Sequence, residues 1–217
     1  MKLLFDLDGT ITDSKPGITK CIEYALQKLD LPVPAEDELV RLIGPPLKET
    51  FGTLLPSPTD ENINQAVTFY RERFADVGIF ENSVYPGIQD ALHSFREMGV
   101  SLYLATSKLQ VFAERILQHF ELDHLFSGVY GSELDGTRQD KTELIQYLLA
   151  AEKIPHRHAA MIGDRSHDIK GGKANNIQTV GVLWGYGSQD ELVGAGADLI
   201  AEEPEDLNWL FEYYTGE

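Results

Sequence analysis

The sequence predicts an α/β fold: a parallel sheet with helices on both faces, plus an all-helical domain inserted after the first strand. Three observations predict it. The chain opens with an apolar run, Lys2 to Leu7, that reads as a short buried strand. From Asp13 to about Phe80 the apolar residues recur at helical spacing and none of the segment alternates as a strand does. Beyond Tyr85, Pro86 and Gly87, helical and strand-like segments take turns to the end of the chain, which is the pattern of a parallel sheet.

Each element follows from its own residues. In the segment from Pro16 to Leu29, Ile18, Ile22, Ala25, Leu26 and Leu29 share one helix face, and the prolines at 32 and 34 end it. A second helix covers Glu36 to Ile43 and stops at Gly44, Pro45 and Pro46; a third covers Lys48 to Leu55. Thr59 caps a longer helix to about Val77, with Ile63, Val67, Tyr70 and Phe74 on one face. The alternating part then reads helix Ile88 to Met98, strand Val100 to Ala105, helix Leu109 to Phe120 and a weak strand near Val129. It continues with helix Thr142 to Ala151, strand Ala159 to Ile162, a helix after Asp168 and strand Thr179 to Leu183. A last strand near Leu199 and a last helix from Leu207 to Tyr213 complete it. The expected domains are residues 1–13 with 84–217, and residues 14–83, with hinges near Asp13 to Pro16 and Ser83 to Pro86.

Composition narrows the function. The chain has 217 residues, 42% hydrophobic, and a formal net charge of -17, so a general nucleic-acid binder is disfavoured. A single cysteine, Cys21, rules out an internal disulfide and reads as a small buried hydrophobe on a helix face. No secretory signal pattern opens the chain and no apolar stretch suits a membrane span, so a soluble, cytoplasmic protein is expected.

In open parallel sheets, ligands bind beyond the carboxyl ends of the strands. After the first strand stand Asp6 and Asp8, followed by Gly9 and Thr10. After the second come Thr106, Ser107 and Lys108. After the strand ending in Ile162 come Gly163, Asp164, Arg165, Ser166, His167 and Asp168, and Lys141 opens the helix before that strand. Clustered carboxylates need compensation. A hard cation such as Mg²⁺, which takes oxygen ligands, supplies it. Thr106 and Lys141 suit the remaining oxygens of a phosphate, with amides around Gly9 and Thr10 as further donors.

In the runs FDLDGTITDS, LATSK, RQDKTELI and IGDRSHDI, together with GVLWGYGS and AGADLI, the sequence resembles the haloacid dehalogenase superfamily, in its phosphoglycolate phosphatase-like branch. The resemblance implies a Rossmann-like core with a helical cap, and a Mg²⁺-dependent phosphatase acting on a small phosphorylated metabolite through an aspartyl-phosphate. Asp6 is then the nucleophile and Asp8 the acid and base. Asp6, the backbone carbonyl of Asp8, and Asp164 hold the metal, with Asp168 supporting it directly or through water. Thr106 and Lys141 bind the transferring phosphoryl group; apart from the resemblance, Gly9, Thr10, Ser107 and Lys108 are read from their positions as lining its site. Such a chain is expected as a monomer or homodimer.

Plainer roles stand beside these. Asp168 also suits a helix N-cap, and Thr106 a strand-end turn. His167 is read as loop structure, and His156 and His158 as surface residues flanking a strand. Trp184 and Tyr186 either line the site or pack under the last loop. A phosphomutase on the same scaffold is the near alternative, and a phospho-accepting signalling module the distant one.

Overall fold

The computed structural model describes residues 1–208. Element order is β1 (Lys2–Phe5), β2 (Thr12–Asp13), α1 (Lys15–Lys28), α2 (Glu36–Val40), α3 (Leu47–Leu54), α4 (Asp60–Asp76) and β3 (Ser83–Val84). There follow α5 (Ile88–Glu97), β4 (Ser101–Leu109), α6 (Gln110–His119), β5 (Phe126–Ser132), α7 (Lys141–Ala151) and β6 (Ala159–Gly163). The described chain closes with α8 (Ser166–Ala174), β7 (Gln178–Val182), α9 (Gln189–Gly194) and β8 (Leu199–Ala201). No helix among the described residues is long and apolar enough to cross a membrane.

Two compact units result. The first comprises, among the described residues, Met1–Thr12 and residues 84–208. Its six-stranded sheet runs β5-β4-β1-β6-β7-β8 and is parallel throughout. β1 is central: Phe5 is level with Leu104 of β4 on one side and Ile162 of β6 on the other. Leu3, Leu4 and Phe5 are buried in succession, because helices cover both faces of a parallel sheet and an alternating pattern would leave polar groups inside. Below the sheet, Leu144, Ile145, Leu148 and Leu149 of α7 pack with Leu4, Tyr103 and Met161. Phe95 of α5 is buried beside Phe5, ring centroids 6.4 Å apart. The backbone N–H of Tyr85 donates to the carbonyl of Ile11 at 3.1 Å, so the chain leaves and re-enters this unit at neighbouring points.

The second unit, Asp13–Ser83, carries α1 to α4. α1 packs on α4 through the expected apolar faces: Ile18, Ile22, Ala25 and Leu26 are buried, as are Val67, Tyr70 and Phe74. Tyr70 stacks on Phe74 at 5.5 Å and meets Phe51 of α3 edge-on. Thr59 caps α4 by accepting from the Asn62 N–H. Cys21 is buried as expected, with an Arg73 guanidinium N–H directed at its sulfur at 3.3 Å. Arg73 and Lys20 both pair with Glu81, closing the unit near its exit.

Several expectations need adjustment. β4 runs on to Leu109, so Thr106 to Lys108 lie within the strand; a register irregularity against β5 between Ala105 and Leu109 marks the stretch. α8 begins at Ser166, ahead of Asp168, because Asp168 caps it from inside the first turn: its Oδ2 accepts the Arg165 N–H at 3.1 Å. α9 is an element the sequence does not announce; Ser188 caps it, accepting from the Glu191 N–H, and six residues are too few for a periodic signal. The helix expected from Leu207 to Tyr213 lies, beyond Asn208, outside the described residues.

Phe95→Ala removes a fully enclosed ring that packs beside Phe5. It is expected to cost about 3–5 kcal/mol in urea unfolding; a cost below about 1 kcal/mol, no more than a conservative trim such as Ile→Val, contradicts the packing described.

Candidate active site

The site begins where β1 ends. The Asp6 backbone N–H still donates to the Ile162 carbonyl, at 3.0 Å, holding Asp6 in line with the sheet. Beyond it the chain coils back: the N–H groups of Ile11 and Thr12 both donate to the Leu7 carbonyl, at 2.9 and 3.0 Å, and the Gly9 N–H to the Thr12 carbonyl at 2.8 Å. Gly9 has φ +82°, and a Cβ there would stand 2.2 Å from an Asp164 carboxylate oxygen. A side chain is therefore excluded twice, by backbone conformation and by the space Asp164 needs. This turn overrides the alternation that sends Asp6 and Asp8 to opposite faces of an ideal strand.

Three carboxylates converge there. Asp6, Asp164 and Asp168 are all buried, and each offers an oxygen lying within 4.8 Å of the others. Lys141 crosses to them from the start of α7. Its ammonium lies 3.0 Å from Asp6 Oδ1 and 2.8 Å from Asp168 Oδ1, and donates to the Ala105 carbonyl at 2.9 Å. A cation at a helix N-terminus opposes the helix dipole. Asp140 offsets that, since its Oδ1 accepts from the N–H groups of Thr142 and Glu143 at 2.8 and 3.1 Å. Asp8 sits beside the cluster. Its Oδ2 pairs with Lys108 Nζ at 3.0 Å, while its Oδ1 is buried without a hydrogen-bond partner.

Thr106 is buried in the irregular part of β4, and its Oγ1 accepts the Lys108 backbone N–H at 3.3 Å. Ser107 serves the scaffold instead. Its hydroxyl donates to the Gln139 carbonyl at 3.1 Å, while its own carbonyl accepts from Ser132 Oγ at 2.9 Å. Those bonds tie β4 to β5 and to the loop that presents Lys141. Thr10 donates to Asp164 Oδ1 at 3.4 Å. His167 falls in the first turn of α8 and outside the carboxylate cluster.

Trp184 and Tyr186 matter more than a packing role suggests. The Trp184 indole N–H donates to the Thr10 carbonyl at 2.9 Å, and the Tyr186 backbone N–H to Asp164 Oδ2 at 2.8 Å. Gly185 between them passes so close that a Cβ would lie 2.3 Å from the Gly9 carbonyl oxygen. The segment after β7 is thus a clamp on both Asp164 and the turn at Gly9. Its sequence signal, WGYG, is a pair of small residues alternating with aromatics directly after a strand.

The electrostatics identify what the cluster lacks. Burial raises the Asp6 pKa to about 6, with Asp168 and Asp8 adding to the rise and Lys141 opposing it. Burial, then the charges of Asp168 and Asp6, hold Asp164 well above the ordinary carboxylate value. For Lys141 burial acts downward, but Asp168 and Asp6 overcome it and the ammonium stays above its usual range. Two lysines facing four carboxylates leave two formal negative charges in a buried space. An all-oxygen donor set with that deficit fits a hard divalent cation, which Asp6, Asp164 and Asp168 are placed to hold.

The raised Asp6 value has a thermodynamic consequence. Its folded-state pKa of about 6 lies above the ordinary 3.8, so the fold favours the protonated acid. That contribution is complete below the lower value and lost as pH rises through the higher one. In chelator, Asp6→Asn should therefore gain in Tm relative to the parent as pH climbs from about 4 to about 7. A difference that stays flat over that window contradicts the electrostatic description.

Comparison with known proteins places this geometry among relatives. The family described as haloacid dehalogenase-like hydrolase matches residues 3–182. The chain is 46% identical over 191 residues to a 5′-nucleotidase from Pseudomonas aeruginosa, covering 88% of this chain and 86% of that protein. It is 38% identical over 188 residues to the tyrosine-protein kinase PtkA from Mycobacterium tuberculosis, covering 87% of this chain and 64% of the relative. Among solved structures, one described as a predicted phosphatase from Clostridium acetobutylicum matches with a TM-score of 0.93 and 41% identity, over 97% of each chain.

Proposed function

The chain belongs to the haloacid dehalogenase-like hydrolases and is a phosphoric monoester hydrolase; on that footing we propose that it is Mg²⁺-dependent and works through an aspartyl-phosphate on Asp6. The observation that carries the proposal is the meeting of Asp6, Asp164, Asp168 and Lys141 at the carboxyl end of β1.

Asp6 is the nucleophile. One of its carboxylate oxygens attacks phosphorus, the P–O bond to the leaving group breaks, and Asp8 gives its proton to the departing oxygen. Asp8 then takes a proton from the water that attacks the acyl phosphate, so the enzyme returns to its starting state with inorganic phosphate released. Lys141 keeps the Asp6 carboxylate oriented and supplies positive charge to the transferring group. Thr106 Oγ and the amides of the turn at Gly9 and Thr10 hold its remaining oxygens. Asp6, the Asp8 carbonyl and Asp164 would hold Mg²⁺, with Asp168 beside them; when bound, the ion neutralises the incoming phosphate and lets Asp6 attack as the anion. Phosphoryl transfer demands alignment and charge compensation more than covalent assistance, and a cluster fixed by strand ends supplies both.

The substrate class is a small phosphate monoester. The 46% identical relative is named a 5′-nucleotidase, which puts nucleoside 5′-monophosphates first among candidates, ahead of phosphoglycolate. The second reading, transfer of the phosphoryl group to another acceptor as in a phosphomutase, shares every residue named above. The relative named a tyrosine kinase keeps it in view. Free phosphate is released only under the first reading. The division into a core of residues 1–13 with 84–217 and a cap of residues 14–83 assigns chemistry to the core and selectivity to the cap.

A phosphate-release screen over nucleoside monophosphates, phosphoglycolate and sugar phosphates tests the proposal, and release from none of them overturns it. Asp6→Asn should fold and lose at least about 10³-fold in turnover of p-nitrophenyl phosphate, because no other group supplies the covalent route. Retained turnover displaces Asp6 from its role. EDTA should abolish phosphate release and added Mg²⁺ restore it; unchanged activity in chelator removes the ion from the scheme.

A further inference from the structure

Lys108 is a second lysine at the carboxyl edge of the sheet, and the scheme above gives it no role. Its side chain is only 7% exposed, and its ammonium pairs with an Asp8 side chain that is 12% exposed, at 3.0 Å. A lysine enclosed to that degree is rare unless it is paired. Its backbone is fixed as well, since its N–H donates to Thr106 Oγ1 at 3.3 Å, within the stretch where β4 slips register against β5. Irregularities of this kind re-aim side chains near functional sites. Lys141 serves Asp6 and Asp168, and Lys108 serves Asp8.

The pairing distinguishes the two oxygens of Asp8. Lys108 engages Oδ2; Oδ1 is buried and has no hydrogen-bond partner. A carboxyl group free to rotate about its Cβ–Cγ bond presents either oxygen to a leaving group; one clamped through Oδ2 presents Oδ1 alone.

We propose that Lys108 is a positioning residue for leaving-group protonation: by holding Asp8 Oδ2 it fixes the carboxyl plane so that Oδ1 delivers the proton to the departing ester oxygen. This rests on the hydrolase reading and goes beyond it in naming the residue that orients the acid. In the step concerned, the bond from phosphorus to the ester oxygen breaks as a bond from Asp6 to phosphorus forms. The leaving oxygen gains the proton that Asp8 loses. Lys108 neither gains nor loses a proton.

A residue that acts only on protonation matters in proportion to how badly the leaving group needs a proton. The experiment therefore compares two esters on one preparation. p-Nitrophenyl phosphate releases an acidic phenol that departs unaided. Phenyl phosphate releases a phenol about as basic as a tyrosine side chain, with a pKa of about 10. For Lys108→Met, which keeps an unbranched side chain one atom shorter and removes the charge, kcat on phenyl phosphate should fall on the order of 10²-fold. On p-nitrophenyl phosphate it should fall less than about 10-fold, a loss below the range that general acid catalysis contributes, with KM little changed for either. The ratio of the two rates does not depend on the folded fraction, and Lys108→Gln read in the same way guards against a variant that fails to accumulate. Equal losses on both esters, in kcat or in KM, assign Lys108 to phosphoryl binding or to packing and overturn the proposal. A parent protein inert toward both esters overturns the hydrolase reading and the proposal together.

Discussion

A buried ammonium group shared by two carboxylates is the interaction on which the site depends. Lys141 reaches Asp6, Asp168 and the Ala105 carbonyl within 3.0 Å, so one side chain touches the exit of β1, the middle of β4 and the first turn of α8. Without it, Asp6 and Asp168 are like charges in a space nearly closed to water, and the cost of removing one partner from such a group is about 3–5 kcal/mol. The lysine alone does not neutralise the cluster. Asp6 and Asp164 remain pushed toward their neutral forms, and a cluster left short of positive charge is what a divalent ion and then a phosphate can use. Stability has been conceded at this edge of the sheet so that binding can recover it.

The parallel sheet makes the arrangement possible. With β1 between β4 and β6, the chain builds outward on one side of β1 and then crosses to the other. Strand ends that are far apart in sequence therefore open on a common crevice, and the crossing helix α7 delivers Lys141 there. Short-range devices refine the placement. Asp140 makes the N-terminus of α7 tolerate a lysine, Asp168 caps α8 while facing the cluster, and the Trp184–Tyr186 segment closes over Asp164 and Thr10. Asp168 does two things at once, accepting the Arg165 N–H through Oδ2 and pairing with Lys141 through Oδ1.

Much of this is legible in the sequence, and the reasons differ by residue. Asp6, Asp8 and Asp164 stand out because carboxylates directly after apolar strands are costly to bury without compensation; Asp168 stands out less, since it also suits the helix cap it makes. Long helices such as α1 and α4 announce themselves by periodicity. The short α9 does not, and β4 runs past its apolar stretch because, beyond the irregular polar residues Thr106, Ser107 and Lys108, Leu109 pairs with Ser132 of β5. Ser107 shows the limit of reading by neighbourhood. It adjoins Thr106, but its hydroxyl is occupied by the Gln139 carbonyl, a partner 32 residues away that no local pattern reveals. Trp184 is ambiguous in sequence for the same reason, its partner Thr10 lying 174 residues away. Residue type indicates what chemistry is available; only long-range pairing says which atoms are already engaged.

The bond from the Tyr85 N–H to the Ile11 carbonyl, at 3.1 Å, bears on how such a protein can diversify. Because exit and entry are stapled together on the sheet unit, the polypeptide between them forms a loop whose ends are already closed. Lengthening or replacing that excursion adds little entropic burden, since closure cost grows only slowly with loop length. The position behaves as a socket. Evolution can exchange the module plugged into it while the sheet unit stays constant, and a protein engineer can graft there with the same freedom.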